Sequence, residues 1–128
     1  MSRFQCFRTD QRQIRWRLLG GNNRVLGISA HTLPDHATAL DEVNAVRKCA
    51  ETADYDLTVL PRGLWGWRMR IGGVEIAHSV HGFARRVDAN LASERFRQRA
   101  PTADTDLTLA VFQPGRRGRE ITFHDEPS

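Results

Sequence analysis

Thr52-Ala53-Asp54-Tyr55-Asp56-Leu57-Thr58 returns fifty residues later as Thr102-Ala103-Asp104-Thr105-Asp106-Leu107-Thr108. Upstream at the same shift, Ser29, His31, Ala39, Arg47 and Ala50 match Ser79, His81, Ala89, Arg97 and Ala100. That makes 11 identities between positions 29 and 58 and their copies, where average residue usage would give roughly two. At a shift of 51, Trp16-Arg17-Leu18 falls on Trp67-Arg68-Met69 and Gly21 on Gly72, so one residue is missing from the following turn of the second copy. The chain is an internal duplication, and its single length change sits in a loop, where it is tolerated.

Each copy reads as three strands and a helix. In the first, Phe4 to Arg8 is a short strand, and Gln13 to Leu19 alternates Ile14, Trp16 and Leu18 against Gln13, Arg15 and Arg17, the period of a half-buried strand. Gly20-Gly21-Asn22-Asn23 is a turn leading into a third strand, Val25 to Ser29. Thr32 is placed to cap a helix with Pro34 in its first turn, and Ala39, Leu40, Val43, Val46 and Ala50 follow at helical spacing. In the second copy the strands are Tyr55 to Leu60, Trp65 to Ile71 and Val74 to Ser79. Its helix, from about Ala84 to Ala100, offers Val87, Ala89, Leu91, Ala92 and Phe96 as a packing face and ends at Pro101. A third copy begins with a strand at Asp106 to Phe112, and no helix follows it.

A unit of three strands and one helix cannot bury its apolar sheet face alone. The sequence therefore predicts an α+β protein. A tandem βββα repeat forms one pseudo-two-fold antiparallel sheet packed by two helices, with the C-terminal strands exchanged. The expected core is Trp16, Leu18, Val43, Val46, Trp67, Met69 and Phe96. Residues 1–113 make a single domain of two repeats, about 4–54 and 55–104 plus a closing strand at 105–112; residues 114–128 are a tail with room for an extra strand near 120–124.

Several of these segments together resemble the YegP-like family of small bacterial proteins. They are Trp16-Arg17-Leu18, the Gly/Asn turn, Val25-Leu26-Gly27-Ile28-Ser29 and Val46-Arg47-Lys48-Cys49-Ala50, with Trp67-Arg68-Met69, Glu75-Ile76-Ala77-His78-Ser79 and Phe96-Arg97-Gln98-Arg99-Ala100-Pro101 in the second copy. The resemblance covers about residues 4 to 110. It implies tandem or dimeric β(3)-α-β units in one sheet with exchanged C-terminal strands, an unassigned biochemical role and no catalytic residues. Where the family pattern carries Asn-Gly within the helix, this chain has Asp41-Glu42 and Leu91-Ala92.

Length and composition bound the function. At 128 residues, 40% apolar and 27% charged, the chain is a folded protein too short for a multidomain enzyme. Of 19 basic residues all but Lys48 are Arg, against 15 acidic ones, and the net +4 is shared equally by the two halves. Cys6 and Cys49 lack the spacing of a zinc site or disulfide framework, and no apolar run suggests a secretory signal or a membrane span, so the reading is cytoplasmic.

Arginines mark the one surface with a functional pattern. Arg15, Arg17, Arg68 and Arg70 fall on the outward side of the two central strands, as nucleic-acid binding by a sheet face requires. The bland alternative is that they keep an open sheet face soluble. Trp16, Trp65 and Trp67 alternate to the other side, where they cannot stack bases. His78 and His81 are spaced to meet one metal but lack further ligands. The pairs Asp54/Asp56 and Asp104/Asp106 fit turn capping by Asp54 and Asp104 better than acid–base chemistry. No phosphate loop or nucleophile motif is present, and no catalytic, cofactor-binding or metal residue is assigned. The expectation is a non-enzymatic binding or accessory module, monomeric or homodimeric and without a cofactor. The alternatives are nucleic-acid binding through the arginine face and protein pairing through a strand edge at Ala110 to Phe112 or Ile121 to Phe123.

Overall fold

The computed structural model describes residues 1–111; the expected strand near 120–124 and the tail lie outside them, as does Phe112. The first repeat is β1 (Arg3–Arg8), β2 (Ile14–Leu19), β3 (Val25–Ser29) and α1 (His36–Cys49). The second is β4 (Asp54–Val59), β5 (Trp65–Ile71), β6 (Val74–His78) and α2 (Arg86–Arg99), and β7 (Asp104–Val111) follows. All seven strands form one sheet in the order β4-β5-β6-β3-β2-β1-β7. Both helices pack on one of its faces over a shared core of Phe4, Trp16, Leu18, Val43, Val46, Trp67, Met69 and Phe96.

The duplication is visible in the register. Phe4 and Cys6 pair with Leu18 and Trp16, and their counterparts Tyr55 and Leu57 pair with Met69 and Trp67. A register shift follows Leu18 in one copy and Met69 in the other. Beside these irregular ladders the Ser29 hydroxyl accepts the Trp16 backbone N–H, and the Ser79 hydroxyl accepts that of Trp67, both at 3.2 Å. A buried backbone donor without a partner is costly, which explains why both copies keep serine there. The repeats meet antiparallel where β3 pairs with β6, through Ile28↔His78 and Ser29↔Ala77.

Strands are exchanged. β4 follows α1 yet pairs with β5, and β7 follows α2 yet pairs with β1. The sheet is not wholly antiparallel, however, because β7 runs parallel to β1. β1 already holds the place beside β2 that β4 holds beside β5, so β7 docks outside it and lies beyond the two-fold set. Its ladder slips between Gln5 and Cys6, and the Asp106 carboxylate turns back to accept the Thr108 N–H and hydroxyl at 3.0 and 2.7 Å. Leu107, the counterpart of half-buried Leu57, is left 71% exposed.

Helix starts also differ from the sequence expectation. Asp35, rather than Thr32, caps α1 by accepting the Thr38 N–H at 2.7 Å, with Pro34 ahead of the cap. At α2 no side chain caps; Arg85 clasps Asp88 through Nε and Nη2 at 3.0 and 3.1 Å. Val87 and Leu91, expected to pack, are 51% and 55% exposed. They sit opposite Ala89, Ala92, Ser93 and Phe96, which form the buried stripe. Asp54 and Asp104 are exposed and cap nothing among the described residues; the turn after α1 is closed by the Ala53 N–H on the Cys49 carbonyl at 2.8 Å.

Gly27 brings β3 against the core: a Cβ there would lie 2.6 Å from the Phe96 ring and 2.9 Å from Trp67. Gly27→Ala is expected to cost about 1–3 kcal/mol by overpacking, and Trp16→Ala or Trp67→Ala about 3–5 kcal/mol each. Urea denaturation checks all three, and unchanged midpoints would contradict this packing.

Candidate functional site

The helix-free face carries Arg15, Arg17, Arg68 and Arg70, but not as one patch. β3 and β6 separate β2 from β5, so the two arginine pairs stand roughly 14 Å apart at the usual strand spacing. They are also engaged. Arg68 bonds Asp56 at 2.7 Å and approaches Glu75 at 3.9 Å, while Arg70 approaches Asp56 at 3.6 Å and pairs directly across from Asp54. Arg17 is only 6% exposed and donates through Nε and Nη2 to Gln5 Oε1 at 3.2 and 2.9 Å. Arg15 donates to the Ser29 carbonyl, and burial lowers its pKa from the usual guanidinium value. The arginines expected to project from neighbouring strands thus lie on separated ones, largely matched by acids and acceptors.

Other polar candidates are spoken for or apart. His78 Nδ1 lies 2.8 Å from the Ser79 carbonyl, whereas His31 and His81 are exposed. Among the described residues no three His, Cys, Asp or Glu side chains come together as a metal site would need. Cys6 is buried, and desolvation, reinforced by Asp106, pushes its thiol up to about 11.

The tryptophans reveal a difference between copies that their backbones hide. Trp16 is fully buried, and its indole N–H donates to the Glu42 carboxylate of α1 at 2.7 Å. Trp67 is equally buried, wedged against Phe96 with ring centroids 4.9 Å apart. Its Nε1 has no acceptor among the described residues. The residue fifty positions after Glu42 is Ala92, and that methyl cannot accept a hydrogen bond.

Trp67 and Ala92 line a cleft of about 620 Å³. Its walls come from both repeats: the turn between β2 and β3, the segment after β6, and the side of α2 bearing Arg95 and Arg99. Arg24 and His81 complete its rim, and among the described residues no carboxylate lines it. The turn wall is the longer of the duplicated turns and reverses with Asn23 at φ 62°, a conformation asparagine tolerates. Nothing that the copies share marks this cleft. The usable signal was divergence: Arg24, Ala92, Arg95 and Arg99 stand where the other copy has Val74, Glu42, Ala45 and Cys49.

The architecture defines an α+β protein of duplicated, strand-exchanged βββα units. Two solved structures share it. The solution structure of YegP from E. coli, a protein of unknown function, superposes with a TM-score of 0.72 at 14% identity, covering 88% of this chain and 95% of that one. A UPF0339 protein from Shewanella oneidensis gives 0.72 at 12% identity, covering 86% and 92%. The chain therefore has the YegP-like fold. No family model and no curated protein matches the sequence.

Glu42→Ala should cost about 1–3 kcal/mol by stranding the buried Trp16 N–H, measured by denaturation with Glu42→Gln as the near-neutral control. In alkylation at pH 8, Cys49 should react well before Cys6, whose thiolate forms only as pH nears 11; equal rates would contradict the burial of Cys6.

Proposed function

We propose that this chain is a non-enzymatic binding module of the cytoplasm whose ligand seat is the cleft between its repeats. The observation that carries this reading is the pairing of a 620 Å³ recess with Arg24, Arg95 and Arg99 and, among the described residues, no lining carboxylate. The volume suits a small molecule. Guanidinium and indole groups donate hydrogen bonds and accept none, so they hold a ligand without attacking it. His81 is the one base on the rim, and no carboxylate among the described residues orients it. Two unpaired cysteines accord with a reducing compartment, and among the described residues no helix is long and apolar enough to cross a membrane.

The competing reading is nucleic-acid binding through Arg15, Arg17, Arg68 and Arg70, whose matched charges weaken its support. Amide NMR titrations separate the two. Small solutes are expected to shift Gly21, Arg24, His81 and Arg95, and DNA or RNA should leave Arg68 and Arg70 unmoved. Nucleic-acid affinity that falls steeply with salt and vanishes when all four arginines are Ala would overturn the cleft reading.

A second reading follows from the pseudo-symmetry. The outer edge of β1 takes β7, whereas β4, its counterpart, pairs only with β5 among the described residues. That edge suits a second copy of this chain, β4 against β4 with Leu57 facing Leu57, which keeps Asp56 opposite Thr58 rather than another acid. Sedimentation equilibrium should show dimers that Val59→Lys weakens; monomers at every concentration would exclude the pairing.

A further inference from the structure

Glu42 shows what belongs against these tryptophans. In the first repeat the chain supplies its own anionic oxygen to the buried indole N–H, 2.7 Å away. In the second the same place on the helix holds Ala92, 9% exposed, and among the described residues the Trp67 N–H is left without an acceptor. Burying such a donor unpaired costs free energy. Three further replacements surround the gap: Arg24 for Val74, Arg95 for Ala45 and Arg99 for Cys49. Relative to the equivalent positions around Trp16, one negative charge has gone and three positive ones have arrived at one cleft. Among the described residues none of these arginines forms an ion pair. Asp88, one turn before Ala92 on α2, is held by Arg85 at 3.0 Å and does not line the cleft.

We infer that the cleft binds a small organic polyanion, one of whose anionic oxygens takes the Trp67 indole N–H in the place that Glu42 fills beside Trp16. The remaining charge of the ligand meets Arg24, Arg95 and Arg99. This rests on the cleft being the binding seat and adds the ligand's class and its anchoring atom. A hydrogen bond from a buried donor to a charged acceptor is among the stronger ones, and the surrounding guanidiniums grip carboxylate or phosphate in paired fashion.

The test titrates citrate and inorganic phosphate, in separate arms, into the ¹⁵N-labelled full chain while the three indole N–H signals are followed. Citrate is expected to shift the Trp67 signal and leave Trp16 in place; the phosphate arm shows whether a phosphate oxygen serves as well as a carboxylate. Ala92→Glu installs the internal carboxylate of the first repeat. It should move the Trp67 signal without ligand, raise the melting temperature and weaken citrate binding about tenfold or more. Arg95→Ala with Arg99→Ala, both at exposed positions, should weaken binding by a similar factor while leaving the fold intact, so the proposal stays testable if Ala92→Glu folds poorly. Cleft amides that respond to citrate while the Trp67 indole signal stays still would overturn this inference and leave the binding seat standing. Neither anion moving any cleft signal, or Ala92→Glu binding as tightly as the parent chain, would overturn it too; in the first of these outcomes the binding seat falls with it.

Discussion

Neither repeat can cover its own sheet, and this constraint organises the molecule. Three strands under a single helix leave apolar surface that only a second unit can bury. Trp16 and Trp67 show the solution at the level of side chains, both sealed within one core to which both helices contribute. The joint between the sheets is short, two residue pairs on β3 and β6. Strand exchange supplies the rest of the union, since β4 leaves the first repeat to close the second and β7 returns from the second to the first.

Much of this was legible because duplication tests itself. Alternation in Ile14-Arg15-Trp16-Arg17-Leu18 was repeated in Trp65 to Met69, and agreement between copies turned short patterns into reliable strands. What escaped depended on three-dimensional placement. Val87 and Leu91 were expected on one packing face with Ala89, Ala92 and Phe96, and their turning away reflects a helix rotation that an arginine-rich sequence did not fix. The direction of β7 could not be read because its sequence copies β4, which pairs antiparallel with β5, whereas the equivalent place beside β2 is already held by β1. The arginine face read as one patch because the order of strands, which interposes β3 and β6, is not a property of any single segment.

The cleft escaped for a different reason. Identity between the copies passes over Ala92, Arg95 and Arg99, which line it. Ser29 and Ser79 stayed the same because each satisfies a backbone donor beside a bulge. Glu42 and Ala92 differ, and among the described residues only Trp16 has an acceptor for its indole N–H. Duplication thus left one unit bearing its acceptor internally, while the other presents an unmet donor and positive charge.

The turn between β2 and β3 has a consequence for how such a protein could diversify. It holds the one residue by which the copies differ in length, and it walls the cleft without entering the core. Gly20 to Arg24 can therefore lengthen, shorten or change charge while the register of every strand is kept. Descendants of this duplication can reshape the cleft through a handful of loop codons, with the shared core inherited untouched.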